Sequence, residues 1–463
     1  MKVVTRFAPS PTGYLHVGGV RTALFSYAFA KKNKGDFLLR IEDTDIERSS
    51  EDAIKAILDG MKWLGLGYDK TIKYQTERLD LYKKYIKIMI ESGDAYYCYA
   101  SKDELDKLRD EQIKKGDKPR YDGRWRPEHG KALPQPPKDV SPTVRFKNPK
   151  TGIVNWVDLV KGEININNEE LDDFIIARSD GTPTYNFCVV IDDWDMDVSH
   201  VIRGDDHINN TPRQINLLNS LNAPIPNYAH LSMIHGPDGQ KLSKRHGAVS
   251  VMQFKDDGYL PESMNNYLAR LGWSHGDDEK FSMDSFCEWF DFEHVTSSSA
   301  QFDKVKLDWL NGEYIKEYDI NKLTEMAVLR LEQINCPTNN NEIIRDALNL
   351  YKGRETNLNT LFENIIYFFK KPEIDIELES KYINEVSRNN IKALVNNLES
   401  IDWKEDIINQ CIKDFVKNNE LKFPEIAMPL RVRLAGTLNT PNIASIIFVL
   451  GLDELKLRVS DCL

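Results

Sequence analysis

The chain has 463 residues, of which 41% are hydrophobic and 29% are charged, and its formal net charge is −11. This length exceeds one ordinary hydrophobic core, so we expect two to four domains. The acidic balance argues against a non-specific nucleic-acid binder, which is usually basic. It does not exclude a locally basic surface that holds a shaped RNA.

No apolar run approaches the roughly 20 residues of a membrane span, and the chain opens directly on a strand pattern with no signal peptide. The six cysteines are scattered and form no Cys-x-x-Cys pair. This spacing is typical of reduced thiols and not of a disulfide framework. The sequence therefore predicts a cytoplasmic protein without membrane contact.

A glycine-rich turn, residues 6–19, connects the first predicted strand to a helical pattern. Backbone N–H groups and a helix N-terminus at such a turn suit a phosphate, and His16 adds a donor there. Gly13, Gly18 and Gly19 leave no side chain to block a nucleotide. The alternative is a structural turn in which His16 is satisfied by the local backbone.

Strand and helix patterns alternate along the first part of the chain. Residues 37–39 predict a second strand, and Ser49 with Asp52 resembles a helix N-cap and its box partner. The alternation resumes with a predicted buried strand at residues 187–191 and a helix at residues 211–221. Such alternation predicts a parallel sheet with helical crossovers.

Between these two alternating regions the composition becomes irregular, and we interpret residues 101–187 as an insertion between two halves of one domain. Within it, residues 118–127 are basic and aromatic, residues 134–142 are proline-rich, and residues 143–166 predict short strands. The basic and aromatic segment could contact RNA by charge and stacking. It could equally form a solvated surface.

A second chemically distinctive segment is Lys241-Leu242-Ser243-Lys244-Arg245, which follows a predicted strand at residues 231–234. Three cations and one hydroxyl are unsuited to a hydrophobic core, but they are well suited to bind a polyphosphate. Glycines on both sides of the segment indicate a loop, and such loops often carry function. The alternative is an ordinary solvated run of charge.

The C-terminal third is predicted to be helical almost throughout. Pro261 fits the first turn of a helix. The predicted helical segments beyond about residue 320 are residues 343–371, 383–398, 404–416 and 426–434. A break near residues 372–380 is expected to separate two helical subdomains.

Together, the glycine-rich turn and the lysine-rich segment resemble the motifs of a known family. Residues 16–19 (HVGG) and 241–245 (KLSKR) resemble the two signature motifs of class I aminoacyl-tRNA synthetases. Over the longer segments 6–19, 40–45 and 241–245, the amino-acid sequence is similar to that of bacterial-type glutamyl-tRNA synthetases. The resemblance extends from the first strand to the last helices.

The resemblance implies an α/β Rossmann-like catalytic domain with a parallel sheet, an α+β insertion and an all-α anticodon-binding C-terminal region. The expected parts are the first half of the catalytic domain (1–100), an inserted acceptor-end-binding domain (101–187), the second catalytic half (188–250), a stem-contact helical domain (251–322) and the anticodon-binding region (323–463).

The implied activity is that of a glutamate–tRNA ligase, which activates L-glutamate with ATP and transfers it to the 2′-hydroxyl of the terminal adenosine of tRNA(Glu). Mg²⁺ is expected with ATP, and the protein is expected to be a monomer. The alternatives are a glutaminyl-tRNA synthetase and a small-molecule nucleotidyltransferase of the same superfamily. A non-enzymatic RNA-binding protein with a degenerate core is disfavoured by His16, Lys241 and Lys244.

The resemblance also implies roles for individual residues. The predicted catalytic residues are His16, Lys241 and Lys244. The predicted ATP-binding residues are Pro9, Ser10, Pro11, Thr12, Gly13, His16, Gly18, Gly19, Lys241, Leu242, Ser243, Lys244 and Arg245. No residue is predicted to bind a resident metal.

The predicted glutamate-binding residues are Arg6, Ser10, Glu42, Tyr185 and Arg203. An arginine at a strand end that faces a cleft can hold a carboxylate by two parallel hydrogen bonds. For Arg203 the alternative is an internal ion pair with the neighbouring Asp205 or Asp206. For Tyr185 the alternative is an ordinary core aromatic.

The insertion departs from the pattern of many relatives, which carry a zinc site there. Cys98 stands alone, and one cysteine cannot make a tetrahedral site. We therefore predict no structural zinc and expect aromatic packing to hold the insertion together. The candidates for that packing are Tyr96, Tyr97, Tyr99, Tyr121 and Trp125, and the candidates for RNA contact are Lys118, Arg120, Arg124 and Arg126.

Overall fold

The computed structural model describes residues 2–45, 47–242, 250–336 and 340–462. The chain forms two compact units. The N-terminal unit comprises Met1–Lys255 and Met264–Asp303, and the C-terminal unit comprises Asp256–Ser263 and Lys304–Leu463. The finer five-part division stays a prediction.

In the part of the chain that the structure describes, the strands lie before residue 302. They are β1 (Val4–Phe7), β2 (Asp36–Ile41), β3 (Lys73–Tyr74), β4 (Ala95–Cys98), β5 (Thr143–Phe146), β6 (Ile153–Asp158), β7 (Gly162–Asn167), β8 (Ile175–Ala177), β9 (His200–Gly204), β10 (Asn227–Leu231), β11 (Ile234–His235) and β12 (Ala300–Gln301). The α-helices that begin before residue 303 are α1 (Val17–Lys32), α2 (Glu51–Trp63), α3 (Leu79–Ser92), α4 (Lys102–Lys115), α5 (Tyr185–Asp195), α6 (Thr211–Ser220), α7 (Val251–Asp256), α8 (Pro261–Arg270) and α9 (Met283–Trp289).

Parallel strands position the site. Strands β1, β2 and β3 pair in the order β1-β2-β3, and β9 pairs with β10. Strand β1 lies beside β9, where the Ser199 N–H donates to the Val4 carbonyl at 3.0 Å. The chain therefore leaves β1 towards β2 on one side and returns beside it as β9. In open parallel sheets, such a reversal creates a crevice at the carboxyl ends of the strands, where ligands bind. The predicted parallel sheet is confirmed.

The short strands predicted within residues 143–166 are confirmed, and they pair in antiparallel fashion. Strands β4, β5 and β8 form one sheet, and β6 pairs with β7 as a hairpin. The hairpin joins the parallel part through β6 and β10, where Asp158 pairs with Tyr228. This join brings Asp158 next to the strand that carries His230.

Residues 187–191, predicted as a buried strand, lie instead in helix α5. A short continuous apolar run fits a buried helix as well as a buried strand, so periodicity alone does not distinguish them. Here Thr184 has extended backbone, and the Cys188 N–H donates to its carbonyl at 3.0 Å, which begins the helix. The run is buried as far as Asp193.

Two predicted boundaries are also wrong. The N-cap of α2 is Ser50, whose Oγ accepts the Ala53 N–H at 3.2 Å, and not Ser49. The predicted strand at residues 231–234 is divided, because β10 ends at Leu231 and β11 begins at Ile234. Both errors concern only one or two residues at the ends of an element and leave its type unchanged.

Aromatic packing surrounds Cys98 in the insertion. Tyr96, Cys98, Tyr121 and Trp125 form a buried cluster. The Tyr121 hydroxyl oxygen accepts the Trp125 N–H at 2.9 Å and the Cys98 thiol at 3.4 Å. The Arg145 guanidinium lies 3.9 Å from the centre of the Tyr121 ring, a cation–π contact. In the described residues no group of three His, Cys, Asp or Glu side chains could hold a metal ion.

Some insertion residues do not have the predicted exposure. Tyr97 is exposed and stands apart from the buried cluster. Arg126, a candidate for RNA contact, is buried and pairs with Asp173. Tyr121 and Trp125 are also buried, so they are not available to stack on bases. Among the four basic candidates, Lys118 and Arg120 keep exposed side chains.

The C-terminal unit is helical, as predicted. Its α-helices are α10 (Lys304–Glu317), α11 (Ile320–Gln333), α12 (Asn341–Tyr351), α13 (Leu358–Asn364), α14 (Ile376–Tyr382), α15 (Glu385–Leu398), α16 (Glu405–Asn418), α17 (Phe423–Ala435) and α18 (Ile443–Arg458). One buried apolar cluster runs through them from Leu260 to Cys462. The segment predicted as one helix at residues 343–371 is divided, because Asn357 caps a new helix after α12 ends. None of the helices in the described ranges is long and apolar enough to cross a membrane.

The Cys98 cluster gives a test of how the insertion is held together. Trp125→Ala removes a buried aromatic side chain and should destabilise the insertion by about 3–5 kcal/mol, measured by urea unfolding. Tyr97→Ala is the matched control, because that ring is exposed, and it should have a much smaller effect. Metal analysis should find no stoichiometric zinc, and a chelator should leave the melting temperature unchanged. One zinc per chain would contradict the prediction.

Candidate active site

A cavity of about 480 Å³ lies at the carboxyl ends of the parallel strands in the N-terminal unit. Arg6 and Phe7 reach it from β1, Arg203 and Gly204 from β9, and Leu231 from β10. Further lining comes from Glu42, which follows β2, and from the glycine-rich turn that leads into α1. This is the position expected for a ligand in an open parallel sheet.

His16 is the N-cap of α1. Its Nδ1 accepts the Gly18 N–H at 3.1 Å, and the ring makes a second hydrogen bond to the main chain of Leu242. Because Nδ1 is an acceptor, the ring proton is on Nε2. Burial lowers the pKa of His16, and the nearby Lys241 cation lowers it further. The imidazole is therefore neutral at pH 7, at the positive end of a helix.

The described residues before and after positions 243–249 lie next to the glycine-rich turn. Lys241 lines the same cavity as His16. On the far side of the segment, Ser250 bridges to His16 and the Val251 N–H donates to the Leu15 carbonyl at 3.0 Å. The predicted residues Ser243, Lys244 and Arg245 lie outside the described residues.

The remaining predicted nucleotide residues divide between the cavity and its surroundings. Pro11 and Leu242 are buried and Thr12 is exposed, and these three are not part of the lining. The predicted residues that do line the cavity are Pro9, Ser10, Gly13, His16, Gly18, Gly19 and Lys241.

Arg203 is buried and lines the cavity, yet none of the described carboxylates pairs with it. Its Nε donates to His230 Nε2 at 3.1 Å and its Nη2 to Thr211 Oγ1 at 2.8 Å. Its Nη1 has no hydrogen-bond partner among the described residues. Burial lowers the pKa of Arg203. A buried cation of this kind favours an anionic ligand.

The alternative ion pair of Arg203 with its sequence neighbours is wrong. Asp205 accepts from Lys161 Nζ at 3.1 Å, and Asp206 lies 4.0 Å from Lys241 Nζ. Lys161 lies 44 residues before Asp205, so sequence proximity did not reveal this pairing.

Arg6 differs from Arg203 because its charge is matched inside the protein. Its Nε and Nη2 donate to the two oxygens of Asp193 at 3.1 and 3.4 Å, and its Nη1 donates to the Ile202 carbonyl at 3.3 Å. Arg6 lines the cavity, and two of its five N–H groups remain for a ligand.

A buried charge network supports this wall of the cavity. Arg40 is fully buried and donates to Asp193 at 2.6 Å and to Glu42 at 3.1 Å. Its Nε lies 3.6 Å from Asp192. Burial would raise the pKa of Asp193, but Arg6 and Arg40 outweigh it and the pKa is lowered. Burial raises the pKa of Glu42, and Arg40 opposes that rise.

Sequence reasoning missed Arg40, Asp192 and Asp193 as site-supporting residues. The pair of aspartates directly follows the apolar run that was interpreted as a strand. Two carboxylates next to a buried run need partners, because an unpaired buried charge is strongly unfavourable. That rule could have linked them to Arg40, which itself follows three buried apolar residues of β2.

Tyr185 is the first residue of α5 and lines the cavity. It is 37% exposed, so the alternative of a core aromatic is wrong. Its hydroxyl lies 3.0 Å from His207 Nδ1. His207 also lines the cavity and was missed by the sequence reasoning.

Comparison with known proteins is consistent with this geometry. The family "tRNA synthetases class I (E and Q), catalytic domain" matches residues 2–309, and the family "Anticodon binding domain" matches residues 320–463. The fold and these matches define the class, a class I aminoacyl-tRNA synthetase.

Full-length relatives narrow this class. The chain is 56% identical to the glutamate–tRNA ligase of Methylobacillus flagellatus, over 100% of this chain and 99% of the relative. It is 56% identical to the glutamate–tRNA ligase of an Azoarcus species, over 99% of this chain and 98% of the relative. A crystal structure of a glutamate tRNA ligase from Elizabethkingia meningosepticum, in complex with its amino acid, has a TM-score of 0.90 at 32% identity, covering 100% of this chain and 99% of that chain. The chain belongs to the glutamate–tRNA ligase family.

The buried network gives a stability test. Asp193→Ala leaves Arg6 and Arg40 without their shared partner and should destabilise the N-terminal unit by about 3–5 kcal/mol, measured by urea unfolding. Asp80→Ala, which removes an exposed partner of Lys83, should have a much smaller effect.

The same network predicts a pH dependence. Because the folded pKa of Asp193 is below its ordinary value of 3.8, its contribution is present above pH 3.8 and is lost as the pH falls through the folded pKa. Equal urea midpoints for the wild type and Asp193→Ala at pH 7 would contradict this assignment.

Proposed function

We propose that this protein ligates L-glutamate to tRNA(Glu) in two steps at the described cavity. The α-carboxylate of glutamate attacks the α-phosphorus of ATP, so that a carboxylate–phosphorus bond forms and pyrophosphate leaves. The 2′-hydroxyl of the terminal adenosine of the tRNA then attacks the activated carbonyl, and AMP leaves. The observation that carries the proposal is the buried Arg203, a cation with no carboxylate partner among the described residues, in one cavity with His16 and Lys241.

ATP is assigned to the side of the cavity formed by the turn and α1. The N–H groups at the start of α1 and the neutral His16 ring are donors for phosphate oxygens. Lys241 and Lys244 are assigned to the phosphate charge that develops as pyrophosphate leaves. Catalysis then rests on positioning and on cations that face this charge.

Mg²⁺ is proposed to accompany ATP and to neutralise part of the phosphate charge. The described residues provide no cluster of three metal-ligating side chains. This fits an ion that is held mainly by phosphate oxygens and water.

Glutamate is assigned to the side formed by the ends of β1, β2 and β9. Arg203 is assigned to the side-chain carboxylate and Glu42 to the α-amino group. Arg6, Ser10 and Tyr185 complete the set, and all five residues line the cavity.

This assignment accounts for the choice of amino acid. Glutamine offers a neutral amide and would leave the Arg203 charge unmatched. A hydrogen bond to a charged group contributes roughly 1.5–3 kcal/mol. Aspartate is one methylene shorter, and a missing methylene changes binding by about 1–3 kcal/mol.

Arg203→Ala tests the glutamate side. It should raise the KM for glutamate roughly 10- to 100-fold, the change that corresponds to a lost charged hydrogen bond, and should leave the KM for ATP nearly unchanged. Arg213→Ala is the control, because Arg213 pairs with Asp172 and is not part of the cavity lining. An unchanged KM for glutamate would show that Arg203 is structural.

Lys244→Ala tests the phosphate side. It should slow ATP–pyrophosphate exchange, measured with tRNA present, by roughly 10²- to 10³-fold, as for loss of one transition-state donor. The KM for glutamate should change much less. Lys255→Ala, an exposed lysine on α7, is the control. A rise in the KM for glutamate as large as the fall in the exchange rate would contradict a transition-state role for Lys244.

The decisive functional experiment is aminoacylation of purified tRNA(Glu) and tRNA(Gln), each with glutamate and with glutamine. We expect glutamate to be joined to tRNA(Glu) and glutamine to be rejected. Charging with glutamine would favour the glutaminyl-tRNA synthetase alternative. Nucleotidyl transfer with no tRNA charging would favour the small-molecule alternative. A monomeric state and a cytoplasmic location stay predictions.

A further inference from the structure

Asp158 and His230 form a buried pair directly behind Arg203. Asp158 Oδ2 lies 2.5 Å from His230 Nδ1, and both side chains are fully buried. Asp158 Oδ1 accepts three main-chain N–H groups, from Val160 and Lys161 at 3.0 Å and from His230 at 3.1 Å. The carboxylate is therefore fixed by the turn between β6 and β7 and by β10.

These contacts determine which ring nitrogen carries the proton. The carboxylate accepts at Nδ1, so Nδ1 is protonated. Nε2 lies 3.1 Å from Arg203 Nε, and a guanidinium can only donate. Nε2 must therefore offer its lone pair, and the ring is neutral. Burial lowers the pKa of His230, in agreement with a neutral ring.

These contacts orient the Arg203 guanidinium but do not neutralise its positive charge. Its nearest acceptors are His230 and Thr211, and both are uncharged. The negative charge of Asp158 is separated from the guanidinium by the imidazole. Arg6 shows the contrast, because Asp193 pairs with it directly.

We propose that Asp158 and His230 are positioning residues that hold the Arg203 guanidinium in place while leaving its charge available for the side-chain carboxylate of glutamate. The proposal rests on the proposed function, because it takes Arg203 as the group that binds this carboxylate. Neither Asp158 nor His230 touches the substrate in this scheme.

Asp158→Asn tests the proposal with almost no change in shape. The three main-chain N–H groups keep the amide oxygen at the Oδ1 position, so the amide NH₂ faces His230 Nδ1. The ring proton must then move to Nε2, which can donate to Thr211 Oγ1 at 3.1 Å but can no longer accept the Arg203 Nε–H. We expect the KM for glutamate to rise roughly 10- to 100-fold, with the KM for ATP and the exchange rate at saturating glutamate changed less than about threefold.

Two further variants separate positioning from structure. His230→Gln supplies an oxygen that can accept from Arg203, so its KM for glutamate should stay within about threefold of the wild type. Asp173→Asn is the matched control, because Asp173 is also a buried aspartate but pairs with Arg126 and Tyr96. Its KM for glutamate should not change. A His230→Gln variant with a KM as high as that of Asp158→Asn would contradict the proposal.

A double-mutant cycle with Arg203→Ala completes the test on the full-length chain. If the pair acts through Arg203, Asp158→Asn should raise the KM no further once Arg203 is gone. A raised KM for Arg203→Ala with additive effects in the cycle would overturn this proposal alone. A wild-type KM for Arg203→Ala would overturn the assignment of Arg203 in the proposed function, and this proposal with it.

Discussion

The proposed glutamate site is built around one buried positive charge. Arg203 is 5% exposed and has no carboxylate partner among the described residues, although it lies within a chain of net charge −11. A buried ion without a partner is strongly unfavourable. The fold holds it with neutral acceptors, and a substrate carboxylate would complete the arrangement. In the proposed assignment, this charge would provide both the binding of an acidic amino acid and the selectivity for it.

In the surrounding network, neighbouring aspartates pair with other cations and therefore do not neutralise Arg203. Asp193 is held by Arg6 and Arg40, and Asp205 is held by Lys161. Asp193 and Asp205 thus each have a cation other than Arg203, and Asp158 is paired with the neutral His230. The two arginines at the strand ends consequently differ in character, since Arg6 is matched inside the protein and Arg203 is not. Helix α5 produces this difference, because it brings Asp193 to Arg6, whereas Arg203 contacts the neutral His230 and Thr211.

The extent to which sequence predicts this structure depends on the range of each interaction. The turn at residues 6–19 and the strand-end positions of Arg6, Glu42 and Arg203 were predictable, because local glycines and short apolar runs determine them. The partner of Asp205 was not, because Lys161 lies far away in sequence. Helix α5 was misassigned because its buried run lacks a distinguishing period. The role of Asp158 and His230 depends on the pairing of β6 with β10, which no local pattern indicates.

The most direct test is a crystal structure of the protein with bound L-glutamate, in which the distance from Arg203 Nη1 to the side-chain carboxylate is measured. We predict a charged hydrogen bond of about 2.7–2.9 Å. A glutamate whose side-chain carboxylate pairs with another cation, while Arg203 Nη1 contacts no part of the amino acid, would contradict the account.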